Sequence, residues 1–178
     1  MDLQISGFLL FVLFTAGHSF SCYNCDTMTG SCVNQTVQNC TSPSPKCGSI
    51  TSVSETGSVK VDMKLKQCVG DCVNGSMNVG ILRTSSVCCD TDLCNFHDSP
   101  DPNSLPPNGK KCYYCDLESC SNTLSCTGIE DHCYTGSGFI DGRYMILKGC
   151  LSKSLCDSPE LVKDGETTCC SEDLCNGV

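Results

Sequence analysis

"CCDTDLCN" spans Cys88–Asn95, and "CCSEDLCN" spans Cys169–Asn176, 81 positions further on. Side chains on successive strand residues point to opposite faces, so adjacent cysteines can staple two different elements. A bond between the two neighbours themselves would be geometrically strained. The repeated ending therefore reads as part of a framework and not as an active site.

Working outward, the repeat is a whole unit. The first half places cysteines at 22, 25, 32, 40, 47, 68, 72, 88, 89 and 94, and the second at 112, 115, 120, 126, 133, 150, 156, 169, 170 and 175. Each unit opens with C-x-x-C, "CYNC" or "CYYC", and ends in the adjacent pair and "LCN". Length differences fall between cysteines, as in a duplicated stapled module. With 20 cysteines in 178 residues and no Trp, the composition is that of a secreted disulfide scaffold. Such a chain buries little apolar area and relies on its staples.

"FLLFVLFTAG" at Phe8–Gly17 is an apolar run too short to span a bilayer and is followed by small residues. It reads as the core of a signal peptide over residues 1–21, cleaved before Phe20 or before Cys22. An oxidising, extracellular route suits the cysteines that begin directly after it. The chain ends at "CNGV" without the small-residue site, spacer and apolar tail that direct a lipid anchor, so a secreted protein without a membrane anchor is expected.

Between the units, "FHDSPDPNSLPPNGKK" (96–111) contains four prolines and reads as a semi-extended linker. The units themselves show strand and hairpin signals. In "SVKVDMKLKQC", Val59, Val61, Met63 and Leu65 alternate with Lys60, Asp62, Lys64 and Lys66. That period of two predicts one dry and one wet face in a long hairpin, Ser49 to Gln67, closed by Cys47 and Cys68. "GFIDGRYMILKGC" repeats the pattern, with a tight turn at Asp141-Gly142. No stretch beyond the leader supports a helix of three turns.

These residues together resemble the extracellular three-finger domains of the lymphocyte-antigen and urokinase-receptor (uPAR-like) type. The resemblance covers nearly all of the mature chain, twice. It implies an all-β, small disulfide-rich fold: two tandem three-finger, snake-toxin-like domains at 22–95 and 112–178, with five disulfides each. By the family pattern the first unit pairs Cys22 with Cys47, Cys25 with Cys32, Cys40 with Cys68, Cys72 with Cys88, and Cys89 with Cys94. The second pairs Cys112 with Cys133, Cys115 with Cys120, Cys126 with Cys150, Cys156 with Cys169, and Cys170 with Cys175. Asn95 and Asn176 match the family's closing Asn, whose amide is suited to bridging backbone groups of the palm.

The chemistry of the remaining side chains points away from catalysis. C-x-x-C is also a zinc signature, but paired cysteines leave no thiolate for a metal or a nucleophile, and no cofactor is expected. His97 and His132 sit in no catalytic motif. The pairs Glu130-Asp131 and Glu172-Asp173 are expected to be solvated carboxylates in short loops.

Function is therefore expected at a protein-binding surface. Residues 22–98 carry five basic against seven acidic side chains, and 112–178 carry four against eleven. The second unit thus steers basic partners and repels nucleic acid. Glycosylation sequons at Asn34, Asn39 and Asn74 all fall in the first unit, leaving the second freer to touch a partner. There Phe139, Ile140, Arg143 and Tyr144 flank the hairpin turn and are the candidate contact residues. "NCTSPSPKCG" (39–48), "LPPNGKKC" (105–112) and "CTGIEDHCYTGSG" with "LKGC" are similar to gamma-type inhibitors of secreted phospholipase A2. That likeness implies a secreted inhibitor whose partners are a secreted phospholipase and further copies of itself. A soluble urokinase-receptor-like module or decoy and a sodefrin-type secreted signal are the alternatives.

Overall fold

The computed structural model describes residues 20–28, 30–116, 118–140, 143–158 and 167–177, apart from the side chains of 56, 138–140 and 143. Most of the expected leader, residues 1–19, and the turn at 141–142 lie outside the described residues. The first unit contains β1 (Ser21–Thr27), β2 (Thr36–Asn39), β3 (Lys46–Thr56), β4 (Val59–Val69), β5 (Gly75–Asn78) and β6 (Leu82–Cys89). The second contains β7 (Pro107–Tyr114), β8 (Asn122–Thr127), β9 (His132–Ile140), β10 (Arg143–Leu151), a single helical turn α1 (Lys153–Cys156) and β11 (Thr168–Cys170).

Hairpins β1–β2, β3–β4 and β5–β6 are the three fingers of the first unit. The long β3–β4 hairpin pairs Cys47 with Cys68 at its base and Thr56 with Val59 at its tip. In the second unit β7–β8 is a separate two-stranded sheet, and β9–β10 is the middle finger. Ten disulfides tie the bases together: Cys22–Cys47, Cys25–Cys32, Cys40–Cys68, Cys72–Cys88 and Cys89–Cys94 in the first unit. In the second they are Cys112–Cys133, Cys115–Cys120, Cys126–Cys150, Cys156–Cys169 and Cys170–Cys175. No cysteine is free, so the close sulfur groups of Cys22/Cys40 and Cys112/Cys126, 3.3 and 3.4 Å apart, are neighbouring disulfides.

The repeated ending packs identically in both units. Adjacent cysteines do serve different elements, and Leu93 and Leu174, in the left-handed region at φ 54° and 56°, turn the chain back. Asp92 Oδ1 accepts from Ser21 N, and Asp173 Oδ1 from Lys111 N, both at 2.7 Å. Asn95 accepts from Tyr23 N at 2.8 Å and donates to Tyr23 O and Gly48 O. Asn176 does the same with Tyr113 N, Tyr113 O and Tyr134 O, each at 2.9 Å. One side-chain amide thereby joins the first and middle hairpins of each unit.

The stretch 96–111 is not a spacer. Its last five residues already belong to β7, and Phe96–Asn103 lies across one face of the first unit's sheet. Ser49 Oγ donates to His97 O, Thr51 Oγ1 to Ser99 O and Ser85 Oγ to Pro100 O, and Ser99 Oγ donates to Ser85 O. Asp98 bridges Lys64 and Lys66 at 2.6 and 2.9 Å. This strap reverses the expected faces of β4. Lys66 is 2% exposed, bonded to Gln35 Oε1 and Phe96 O, whereas Val59 is 62% exposed. A lysine row can be the covered face because each buried ammonium meets a carboxylate or a carbonyl, as a buried charge requires.

The two units join edge to edge. β10 pairs with β5, Cys150 opposite Asn78 and Leu151 opposite Met77, making one nine-stranded sheet in the order β11-β9-β10-β5-β6-β3-β4-β1-β2. Val79 of the first unit packs with Tyr134, Leu151 and Cys156 of the second, flanked by Met77, Leu82, Leu147 and Leu155. Gly149 permits the approach: a Cβ there would collide with Asn78 O and Val79 Cα.

Candidate functional site

With the lysine face strapped, the opposite face of the first sheet is left open. Residue pairs Ile50–Leu65, Ser52–Met63 and Ser54–Val61 place the apolar side chains of β4 on this face. From the exposed tip at Val59 and Val61 the stripe runs through Met63 and Leu65 toward the seam. There it enters a groove with a cavity volume of about 400 Å³. Ile50, Leu65 and Val69 form its floor, Val73 one side, and Leu155 of α1 the wall supplied by the second unit. Lys46 and Asp71 also line it. Gln67, Ser86 and Ser158 complete a lining in which apolar surface predominates, which suits an apolar side chain or segment of a partner.

The sequence singled out a different surface. Arg143 pairs with Ile140 and Tyr144 with Phe139 beside the turn. The side chains of Phe139, Ile140 and Arg143 lie outside the described residues, while Tyr144 and Ile146 are 55% and 45% exposed. Asn34 and Asn74 are exposed, and Asn39 lies exposed in β2, its Oδ1 accepting from Ser21 Oγ.

The acidic loop pair Glu130-Asp131 divides into two environments. Asp131 is exposed and accepts from Lys153 N at 2.7 Å, with His132 Nδ1 at 2.9 Å. Burial raises its carboxyl, but these partners outweigh burial and hold it below the ordinary range. Glu130 is 1% exposed, a correction to the expected solvated loop. It accepts from Thr127 N at 2.8 Å and faces Ser76 across the seam, with Arg83 contributing charge. Burial dominates and pushes its carboxyl up. The one sequence hint was its place three residues after Thr127, a spacing that lets a side chain close a turn onto a backbone N–H. Nothing in the linear pattern marked the groove, because its wall comes from the other unit.

The u-PAR/Ly-6 domain family matches residues 18–97, and the snake toxin and toxin-like protein family matches 111–176. The urokinase plasminogen activator surface receptor of Rattus norvegicus is 27% identical over 92% of this chain and 56% of its own length. The chain thus spans about half the length of that receptor. The phospholipase A2 inhibitor 31 kDa subunit of Naja kaouthia is 28% identical over 83% of this chain and 84% of its own. The phospholipase A2 inhibitor CNF of Crotalus durissus terrificus is 28% identical over 81% and 80%. With nearly all-β architecture, ten disulfides and a family match on each half, the chain belongs to the uPAR-like tandem three-finger proteins.

Proposed function

We propose that this chain is a secreted, non-catalytic binding protein that sequesters an extracellular protein, and that its target is a secreted phospholipase A2. The observation that carries the reading is the open apolar stripe of β4 leading into the groove closed by Leu155. The similarity to phospholipase A2 inhibitors over most of both chains supports this choice of target. The acidic second unit favours a basic enzyme through electrostatic steering.

Titration of the purified protein against basic and acidic secreted phospholipases A2, following hydrolysis and binding together, tests it. Inhibition near one-to-one stoichiometry, weakened about tenfold or more by Leu65→Glu, is the expected result. The hairpin tip supplies a second contact in this reading, so Phe139→Ala with Tyr144→Ala weakens binding and leaves secretion unchanged. Unaltered binding by that double variant removes the hairpin tip from the site. Absence of both binding and inhibition across the panel overturns the phospholipase reading and favours a receptor-like ligand, in line with the similarity to urokinase receptors over 92% of the chain.

A further inference from the structure

Asn74-Gly75-Ser76 is an N-glycosylation sequon that straddles the edge of the inter-unit seam. Asn74 is exposed, and its Oδ1 accepts from Cys88 N at 2.6 Å, leaving Nδ2 without a partner among the described residues. The other two residues of the tripeptide are buried. Gly75 pairs with Ser86 and lies under Leu155. Ser76, 2% exposed, pairs with Ser85 on one side. On its other side it donates N–H to Ser152 Oγ at 3.2 Å and accepts at its carbonyl from Ser152 N at 3.0 Å. Ser154 Oγ adds a bond to Asn74 O. The second unit therefore seals the outer edge of β5 over the residues a glycosyltransferase must grip.

In the transfer, Asn74 Nδ2 attacks the anomeric carbon of an oligosaccharide linked to a polyprenyl pyrophosphate. The N–C bond forms, the C–O bond to the pyrophosphate breaks, the pyrophosphate leaves with the electron pair, and an amide proton passes to solvent. The enzyme must hold the Asn74 amide and the Ser76 hydroxyl in one cleft, which requires the outer edge of β5 to be open. We propose that Asn74 accepts an N-linked glycan only before the second unit docks on β5, so that its occupancy records the order of assembly. Ser152 follows Ser76 by 76 residues, which gives a window of about 4–15 s at about 5–20 residues per second. Asn34-Gln35-Thr36 differs: Asn34 and Thr36 are exposed, Thr36 lies on the edge strand β2, and nothing from the second unit covers it among the described residues.

The test uses the full chain prepared without glycans. Native oxidised protein and reduced, alkylated protein are incubated with an oligosaccharyltransferase and its lipid-linked oligosaccharide, and occupancy at each Asn is read by peptide mass spectrometry. The expected result is modification of Asn74 in the reduced chain and at least about tenfold less in the native one. Gly149→Val and, independently, Leu155→Glu loosen the seam while leaving the first unit's staples intact, and either restores modification of Asn74. Equal modification in native and reduced chains overturns the proposal, as does failure of the reduced chain to react. If both seam variants form their ten disulfides and Asn74 still resists, docking is not the barrier and the proposal is equally overturned.

Discussion

Single residues carry much of this fold's specificity, and the closing Asn is the clearest case. The Asn95 amide satisfies three backbone groups on two hairpins at once, so Asn95→Ala leaves Tyr23 N, Tyr23 O and Gly48 O unpaired. A loss of about 3 kcal/mol is expected, at roughly 1 kcal/mol per bond, seen as a lower urea midpoint of the oxidised protein. The cysteines and the closing Asn were legible because each has a fixed backbone task. Glu130 was not, since its burial depends on a unit boundary that no local pattern encodes. Its carboxyl is raised by burial, so the folded state binds its proton more tightly than the unfolded chain. Stability from this group is therefore gained as pH falls through its folded value toward the ordinary value near about 4.3. Glu130→Gln removes that dependence: unfolding midpoints measured between pH 7 and pH 4 rise less toward acid in the variant than in the parent. A parallel rise in both proteins assigns the effect elsewhere.

At the scale of elements, the strap and the β4 stripe explain each other. Alternation along β4 correctly located a two-faced strand, but which face is covered depends on what lies above it. Here a proline-rich segment whose carbonyls meet Ser49, Thr51 and Ser85 covers the polar face. A period of two gives faces without saying which one faces inward, and the four prolines suggested a semi-extended linker. The strap needs few donors of its own, as the sheet's hydroxyls donate to it. Lys66→Met tests this arrangement. It leaves Phe96 O and Gln35 without the ammonium and Asp98 with Lys64 alone, at a cost of about 1–3 kcal/mol. Limited proteolysis is expected to cut the variant within 96–103 several-fold faster than the parent. Burial raises the Asp98 carboxyl, and the bonds and charges of Lys64 and Lys66 outweigh it. Its stabilisation is thus present above the ordinary carboxylate value and lost as pH falls through the lowered one. The variant has a smaller acid-dependent loss below about pH 4.

For the whole molecule, the decisive feature is that two separately stapled units share one sheet, among the described residues, through two paired positions, Cys150 with Asn78 and Leu151 with Met77. That ladder is too short to hold by itself, so the cluster of Val79, Tyr134 and Leu151 behind it supplies the adhesion. Close approach of the two backbones at Gly149 lets the cluster form. Gly149→Val inserts a branched side chain against Asn78 O and Val79 Cα, and neither backbone atom can yield without breaking the β5–β10 pairing. Because each unit keeps its own five disulfides, the expected outcome is undocking without unfolding. The variant is monomeric with all cysteines oxidised, has a larger radius of gyration by small-angle scattering, and unfolds thermally in two resolved steps in place of one. Its groove loses the Leu155 wall, so partner binding falls along with docking, whereas a hairpin-tip contact through Tyr144 persists. An unchanged radius with a single transition means that the sheet absorbs the extra methyl groups, and that the seam is held by α1 and the apolar cluster instead of by the close passage at Gly149.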